Sequence, residues 1–431
     1  MERRRAGRPP AFDLTLRESL QFACWYAAAR IAGWLRPRAM GRGHAPATGP
    51  AAPGGITVVI PSRNGRSLVA AQLPGIVREL PMPSQIVVVD NGSNDGTARW
   101  LASEWPQVEV EEFAEPLSFA AAVNRGIRRA RYSHVCLLNN DMLLEPGFFS
   151  ALRAAFDKVP GLFCATAQIR FPAGVRREET GKAVMAQAHA DDFPIRCDEP
   201  VAGEDLTWVL YGSGGCSLYD AALLRALGGI DEAYAPAYVE DLDLGYRAWQ
   251  RGWPTVFVAG AVVEHRHRAT TSRYYTEREL AEVLETNYLK FLARAVSHGP
   301  LFRKLWSHAI GRLRRRNGRA LRHAAGLALA GGQRERGTYP EERFLALTCG
   351  DVAAFPGGDA AAAPLVTFAD RLETPPAAVL ARHCEVVLVR SGNELALRTA
   401  IEWAERKWRA GDKWAGEAPV GNPACPGKPK S

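Results

Sequence analysis

The sequence predicts an α/β protein built on a single doubly wound sheet, mixed but mostly parallel, flanked by helices. Three observations predict it. Continuous β-branched runs, ITVVI at residues 56–60 and IVVV at 86–89, read as strands buried on both faces. Helical stretches alternate with such runs, and the links are short, as in a doubly wound sheet. The composition, 47% hydrophobic and 23% charged over 431 residues, is that of a globular chain with a sizeable core.

The elements follow in order. Residues 1–38 form a basic N-terminal helical segment, with Arg3, Arg4, Arg5 and Arg8 ahead of the apolar stretch QFACWYAAARIAGW at 21–34. Arg30 interrupts that stretch and it is too short to span a membrane. It reads as a packing helix, with a helix resting on a membrane surface, Arg36 and Arg38 beside it, as the second reading. No secretory signal is expected. Residues 39–55 are rich in Ala, Gly and Pro and read as a linker.

After the strand at 56–60 comes a helix over 67–80, broken or bent at Pro74. A strand at 86–89, a helix at 97–105 and an edge strand at 108–113 follow. Next come a helix at 119–130, a strand at 135–138 and a helix at 147–158. From residue 207 the pattern loosens to a strand near 208–211, a Gly-rich loop, helices at 221–227 and 242–250, and a strand at 255–258. Residues 56–300 make up the main domain, 301–343 a basic helical segment, and 344–431 a C-terminal α/β extension with no assigned role.

The net charge of +8 concentrates at the N-terminus and in GRLRRRNGR at 311–319. Such clusters fit an anionic partner or a solvated face. Eight cysteines without a CxxC pair argue against a zinc site or a disulfide framework and for a reducing cytosol.

Ligands of a doubly wound sheet bind beyond the carboxyl ends of its strands. The loop VVVDNGSNDGT, 87–97, lies at such an edge. It lacks the Glu that a calcium-binding EF loop needs at its twelfth position, and PSRNG after the first strand is no dinucleotide fingerprint. Asn94 or Asp95 is expected to cap the following helix, whereas Asp90, closing a buried strand, is placed to accept hydrogen bonds from a ribose or base. LLNND, 137–141, puts Asp141 at the same edge, where one carboxylate can hold a divalent cation against phosphate oxygens. Glu240, Asp241 and Asp243 lie at a helix start, with the plain dipole reading beside any catalytic one. His265 and His267 follow a strand, and neutral imidazole is a competent metal ligand.

The ordered set ITVVIPSRNG, IVVVDNGSNDGT, FAAAVNRGIRRA and VCLLNNDMLLEPGF resembles the inverting family 2 glycosyltransferases with the GT-A fold, especially bacterial rhamnosyltransferase-like enzymes. The resemblance covers roughly residues 56–294. It implies that Pro61, Ser62 and Arg63 line a nucleotide pocket with Asp90, and that Asn124 and Gly126 close it. Asn139, Asn140 and Asp141 then stand in a DxD-like motif whose last place, Asp141, holds Mg²⁺ or Mn²⁺. Asn139 replaces the usual first Asp, which gives a His ligand more value; His265 aligns best and His267 is the alternative. YGSGGCSL, 211–218, resembles an acceptor loop, with Gly214 and Gly215 approaching a sugar. VEDLDLGYR, 239–247, resembles the ED motif.

Inverting transfer needs a carboxylate to take the acceptor's proton. Asp241 matches the family's base, Glu240 is expected to assist the acceptor, and Asp243 to cap the helix. The implied partners are a nucleoside diphosphate sugar and a glycan or lipid-linked glycan acceptor in surface polysaccharide synthesis. A cytoplasmic location is expected, with a peripheral contact on the anionic inner face of the cell membrane as an extension of it. Nucleotidyl transfer and a catalytically inactive sugar-nucleotide or glycan binder are the rivals. Nucleic acid is not expected as a partner, because no aromatic-interleaved basic motif appears.

Overall fold

A computed structural model describes residues 15–37, 52–159, 161–172, 181–184, 192–193, 195–198, 204–266, 274–316, 318–331, 337–348, 350, 352–356, 362–371, 379, 381–383, 385–390 and 393–409. Arg3, Arg4, Arg5, Arg8, Arg38, His267 and most of the expected linker lie outside the described residues.

The chain begins with α1 (Leu16–Leu35), β1 (Ile56–Ser62), α2 (Arg66–Glu79), β2 (Ser84–Asn91), α3 (Thr97–Glu104) and β3 (Glu109–Phe113). It continues through α4 (Phe119–Arg129), β4 (His134–Leu138), β5 (Met142–Leu144), α5 (Phe148–Lys158) and β6 (Cys164–Arg170). Two short strands, β7 (Lys182–Val184) and β8 (Arg196–Asp198), lead to β9 (Thr207–Val209) and β10 (Cys216–Asp220). Then follow α6 (Ala221–Ala226), α7 (Glu240–Trp249), β11 (Thr255–His265), α8 (Glu277–Ala295), α9 (Gly299–Arg315) and α10 (Leu321–Ala330). The last elements are α11 (Glu341–Leu347), β12 (Val352–Pro356), β13 (Leu365–Phe368), β14 (Glu385–Val389) and α12 (Glu394–Arg409).

Chain contacts divide the molecule into two compact units. The larger, residues 43–184, 197–275 and 337–431, carries a nine-stranded sheet in the order β3-β2-β1-β4-β10-β6-β11-β5, with β9 paired to β11. β3, β2, β1, β4, β6 and β11 run one way, and β10, β5 and β9 run against them. This is the mixed, mostly parallel sheet that the sequence predicts. Its centre is apolar because β1 and β4 are buried along almost their whole length, and α4 lays Val123 and Ile127 against Val59, Val87 and Val89.

Three strand and helix expectations change. The helix at α2 runs unbroken through Pro74, which faces solvent, so the carbonyl that loses its partner can be hydrated. β10 was not foreseen, because CSLYD follows a glycine cluster that reads as loop. β11 extends well past residue 258: the register with β6 shifts between Val258 and Val262, and the ladder resumes after Gly260. That extension brings His265 opposite Met142 of β5.

Within the same unit the C-terminal extension forms a three-stranded sheet, β12-β14-β13, with α11 and α12 packed together. α11 braces α7. Glu341 accepts hydrogen bonds from the Tyr246 hydroxyl at 2.9 Å and from Gln250 Nε2 at 2.9 Å, and Phe344 stacks on Trp249.

The smaller unit comprises residues 1–42, 185–196 and 276–336, and its described helices are α1, α8, α9 and α10. Gly33 lets α1 lie on Trp306, since a Cβ there would sit 2.4 Å from the indole. The Trp306 ring nitrogen donates to the Ala29 carbonyl. Among the described residues, no helix is long and apolar enough to cross a membrane.

Candidate active site

A cavity of about 320 Å³ opens at the carboxyl edge of β1, β2 and β4. Pro61, Ser62 and Arg63 line it from the end of β1, and Asn139, Asn140 and Asp141 from the turn between β4 and β5. His265 lines it from the end of β11. The sequence also pointed to Asp90, but its carboxylate is buried and accepts from the Ser93 backbone N–H; the neighbouring Asn91 lines the cavity instead.

The loops around this cavity are stitched together. Asn64 donates to the Tyr274 hydroxyl at 2.9 Å and accepts from the Asn94 N–H at 2.8 Å, while its own N–H reaches Ser93 Oγ. Asn64 has a left-handed backbone, φ +48°, which Asn tolerates better than most residues. The Arg63 guanidinium lies 4.0 Å from the centre of the Tyr274 ring. Asn140 Nδ2 donates to Ser62 Oγ at 2.9 Å, fixing the β4–β5 turn against β1. Gln72 of α2 fixes the same turn from beneath, donating to the carbonyls of Asn139 and Met142. Asp95 accepts from the N–H and hydroxyl of Thr97 and from the Arg66 N–H, so it serves the starts of both α3 and α2. The capping expectation for this end of the loop holds for Asp95.

Asp141 and His265 meet: Oδ2 and Nε2 are 3.6 Å apart. The Asn139 amide oxygen, at the same rim, is buried and accepts no hydrogen bond among the described residues. A hard carboxylate, an imidazole and a free amide oxygen are donors that fit a divalent cation such as Mg²⁺ or Mn²⁺. No group of three His, Cys, Asp or Glu residues is arranged to hold a metal ion among the described residues.

Asn124 and Gly126 do not line the cavity. The Asn124 amide donates to the Ile230 carbonyl and to Glu232, and its oxygen accepts from the Ile230 N–H. Gly126 lets α4 approach β1, because a Cβ would lie 2.1 Å from Val59 Cγ1. Both residues hold the fold beneath the cavity through these contacts.

The acids of α7 differ from one another. Tyr238, which lines the cavity, and Val239 both have left-handed backbones, φ +74° and +78°. That is a costly conformation for bulky and β-branched residues, kept only where the surrounding structure enforces it. Immediately after it, Glu240 is buried with one carboxylate oxygen unpartnered. Burial, and then the Asp241 charge beside it, raise the Glu240 carboxyl above its ordinary range. Asp241 is raised too, by burial, although N–H groups of Leu242 and Gly214 pull the other way. Gly214 packs between Asp241 and Phe119, which lines the cavity; a Cβ there would be 3.6 Å from the one and 3.8 Å from the other. Gly215 holds Asn139, its carbonyl accepting the Asn139 N–H at 2.8 Å.

Asp243 is not a cap. It sits inside α7, fully buried, and accepts from the Tyr234 hydroxyl at 2.9 Å and Arg247 Nε at 2.7 Å. Arg247 in turn donates to the carbonyls of Leu227 and Gly229.

Several cavity residues escaped sequence reasoning: Leu117, Phe119, Tyr238, Tyr274 and Tyr275. Aromatic residues in loops carry no periodic signal. The motif FAAAVNRG could have pointed to Phe119, which opens α4 and donates its N–H to the carbonyl of Pro236, also a cavity residue.

Asp141 and His265 thus line the strand-edge cavity, whereas Glu240, Asp241, Gly214 and Gly215 do not line it themselves; Gly214 lies within reach of both Asp241 and the cavity residue Phe119. The profile described as glycosyltransferase like family 2 matches residues 53–284. The chain belongs to the family 2 glycosyltransferases, and the doubly wound sheet is their GT-A fold. It is similar to the N-acetylglucosaminyl-diphospho-decaprenol L-rhamnosyltransferase of Mycobacterium tuberculosis strain H37Rv, 27% identical over 216 residues, covering 44% of this chain and 69% of that enzyme. It is also similar to validoxylamine A glucosyltransferase of Streptomyces hygroscopicus subsp. limoneus, 26% identical over 240 residues, covering 50% of this chain and 52% of that one. Among solved structures, a mannosyltransferase from Pyrobaculum calidifontis in complex with GDP-Man and Mn²⁺ gives a TM-score of 0.41 at 18% identity, covering 72% of this chain and 85% of that chain.

Proposed function

We propose that this glycosyltransferase moves a sugar from a nucleoside diphosphate sugar to a hydroxyl of a lipid-linked glycan or glycan acceptor, with inversion at the anomeric carbon. The observation that carries the reading is Asp241: an acid with a raised pKa, held by the N–H of Gly214, which itself lies close to Phe119 of the cavity.

The donor nucleotide occupies the cavity against Pro61, Ser62 and Arg63, and the rigid stitching of Asn64, Asn94 and Asp95 keeps that wall in place. Asp141 and His265, with the Asn139 amide oxygen, are the residues that would hold Mg²⁺ or Mn²⁺. Such a cation supplies positive charge against which a diphosphate departs. As the acceptor oxygen bonds to the anomeric carbon, the bond from that carbon to the diphosphate breaks and its electron pair leaves with the diphosphate. Asp241 takes the hydroxyl proton, and its raised pKa brings it closer to the proton it must hold. Glu240, kept protonated by burial and by Asp241, offers a hydrogen bond to the acceptor.

The lipid-linked acceptor is favoured by the mycobacterial relative, whose name specifies a diphospho-decaprenol substrate. Surface polysaccharide synthesis is the process such an acceptor serves, and a peripheral position at an anionic membrane face accompanies it.

The test is a donor screen with UDP-, GDP- and dTDP-sugars and Mn²⁺, comparing wild type with Asp241→Asn. Saturable donor binding is expected in both. Transfer is expected to fall by about 10²–10⁴-fold in the variant, the range for losing a general base. In wild type, the acid limb of the kcat/KM profile should lie above the ordinary carboxylate range, because transfer needs Asp241 ionised and its pKa is raised. Equal transfer by the two proteins would remove Asp241 from the mechanism.

A further inference from the structure

We infer that the outer face of α1, with the basic residues around it, docks the chain on an anionic lipid bilayer. The inference rests on the lipid-linked acceptor proposed above and adds the surface that would meet the membrane.

α1 has two unlike faces. Ala29, Ala32 and Gly33 are buried against its helical neighbours. On the opposite side Leu16, Leu20, Ile31, Trp34 and Leu35 stand in solvent, Leu16 78% and Trp34 80% exposed. Ala23, Cys24 and Ala27 continue the same stripe at spacings of three and four, so the exposed apolar band runs the length of the helix. Nine large apolar residues are exposed among the described residues, and five of them belong to α1. Such concentration marks an interaction site, since exposed apolar residues are normally scattered. A sixth, Leu329, lies on α10, which packs on α1.

Charge decides the occupant. Arg17 and Arg30 flank the apolar stripe and are exposed. Arg314 of α9 lies 4.7 Å from the Tyr26 ring of α1, which ties the basic end of α9 to this helix. Arg314, Arg315, Arg316, Arg319 and Arg322 are all exposed in the same unit. Arg312 is not part of this set: its guanidinium is buried 3.9 Å from the Phe193 ring centre and pairs with Glu285. Among the described residues Glu18, Glu282 and Glu285 lie within reach of these arginines, and Glu285 is engaged by the buried Arg312. Glu18 is held by Thr15, and Glu282 lies 3.9 Å from Arg319.

An apolar stripe rimmed by arginines is the pattern of a helix lying in a headgroup layer, with apolar side chains below and guanidinium groups at the phosphates. A second copy of this chain would bring the same arginines against each other, a like-charge juxtaposition that opposes pairing. An anionic bilayer offers apolar chains to the stripe and phosphates to the exposed arginines at once.

The test is flotation of the full chain with vesicles of phosphatidylcholine alone and of phosphatidylcholine with phosphatidylglycerol. Wild type should float with the anionic vesicles, much less with the neutral ones, and should be released by high salt. The pair Ile31→Ser and Trp34→Ser should lower partitioning at least tenfold. Arg17→Ser and Arg315→Ser should each lower it about fivefold, the factor for one basic residue at an anionic surface. Donor titration should match wild type in all variants, since none of these residues lines the cavity, and melting curves should match in the apolar pair and in Arg17→Ser, whose side chains are exposed.

Failure of wild type to float with anionic vesicles would overturn the docking surface, as would flotation unaffected by the apolar pair. A wild-type dimer in lipid-free sedimentation that the apolar pair converts to monomer would assign the face to a second copy. Transfer to an acceptor free of vesicles is measured in parallel. Lost flotation with intact transfer counts against this surface alone, and intact flotation without transfer counts against the transferase reading alone.

Discussion

The loops that wall the cavity and the turn that starts α7 sit in the same unit but are built on opposite terms. In the first region most polar groups find partners: Asn64, Ser93, Asp95, Asn140 and Gln72 each make at least one hydrogen bond across loops, while the Asn139 amide oxygen, Gln72 Oε1 and Arg63 Nε have none among the described residues. In the second, two consecutive residues hold a left-handed backbone, a buried carboxylate oxygen has no partner, and two adjacent acids are raised in pKa. A wall that binds needs shape, which satisfied hydrogen bonds fix. A proton acceptor needs a poised energy, which burial and a like neighbour supply at some cost in stability. Within α7 itself, Asp243 shows what the same helix does with an acid that is structural: it receives Arg247 and Tyr234.

The contrast breaks most visibly at Asp243. Asp243→Ala should cost about 3 kcal/mol, because a buried guanidinium loses its carboxylate partner. Urea unfolding measures it, and a loss near zero would mean that Arg247 is adequately served by the carbonyls of Leu227 and Gly229. Glu240→Gln should do the reverse. The raised Glu240 pKa means the folded chain binds more protons than the unfolded one between the ordinary value of 4.5 and the raised one. Stability therefore falls with rising pH across that window, and a neutral amide escapes the loss. Glu240→Gln should match wild type at pH 4 and exceed it by roughly 1–2 kcal/mol at pH 8, a tenfold change in proton affinity being worth about 1.4 kcal/mol. Parallel melting temperatures from pH 4 to pH 8 would show that Glu240 is not held protonated.

The sheet was legible because buried strands advertise themselves as β-branched runs, and the end of β4 marked the edge at which Asp141 lines the cavity. What the sequence hid has local causes. Gly260 looked like the end of a strand, yet a register shift lets β11 continue and deliver His265 to Asp141. Asn124 and Gly126 sit in a motif of the family, but whether an amide faces a ligand or its own fold depends on where residues 230–232 pass, more than a hundred positions away. The extension from residue 344 had no reading, and the bracing of α7 by α11, which begins just before it at Glu341, works through single side chains. Tyr246, Gln250 and Glu341 leave no periodic trace.

The finest test of the comparison lies at Asp95, an acid in the binding wall built as a structural acid. Burial raises its pKa, but hydrogen bonds from Thr97 and Arg66 outweigh that and leave it below the ordinary value of 3.8. A depressed carboxylate contributes stability that is present above the unfolded pKa and lost as pH falls through the folded one. Asp95→Ala should therefore cost about 1 kcal/mol at neutral pH, the usual worth of a helix-start acceptor. Its melting temperature should converge on wild type in acid, below the ordinary carboxylate range. Donor affinity should weaken only slightly, through a looser link between the starts of α2 and α3. A variant that melts like wild type at neutral pH yet loses donor binding would move Asp95 from the frame of the wall to its binding surface, and the division between a satisfied wall and a poised helix start would have to be redrawn there.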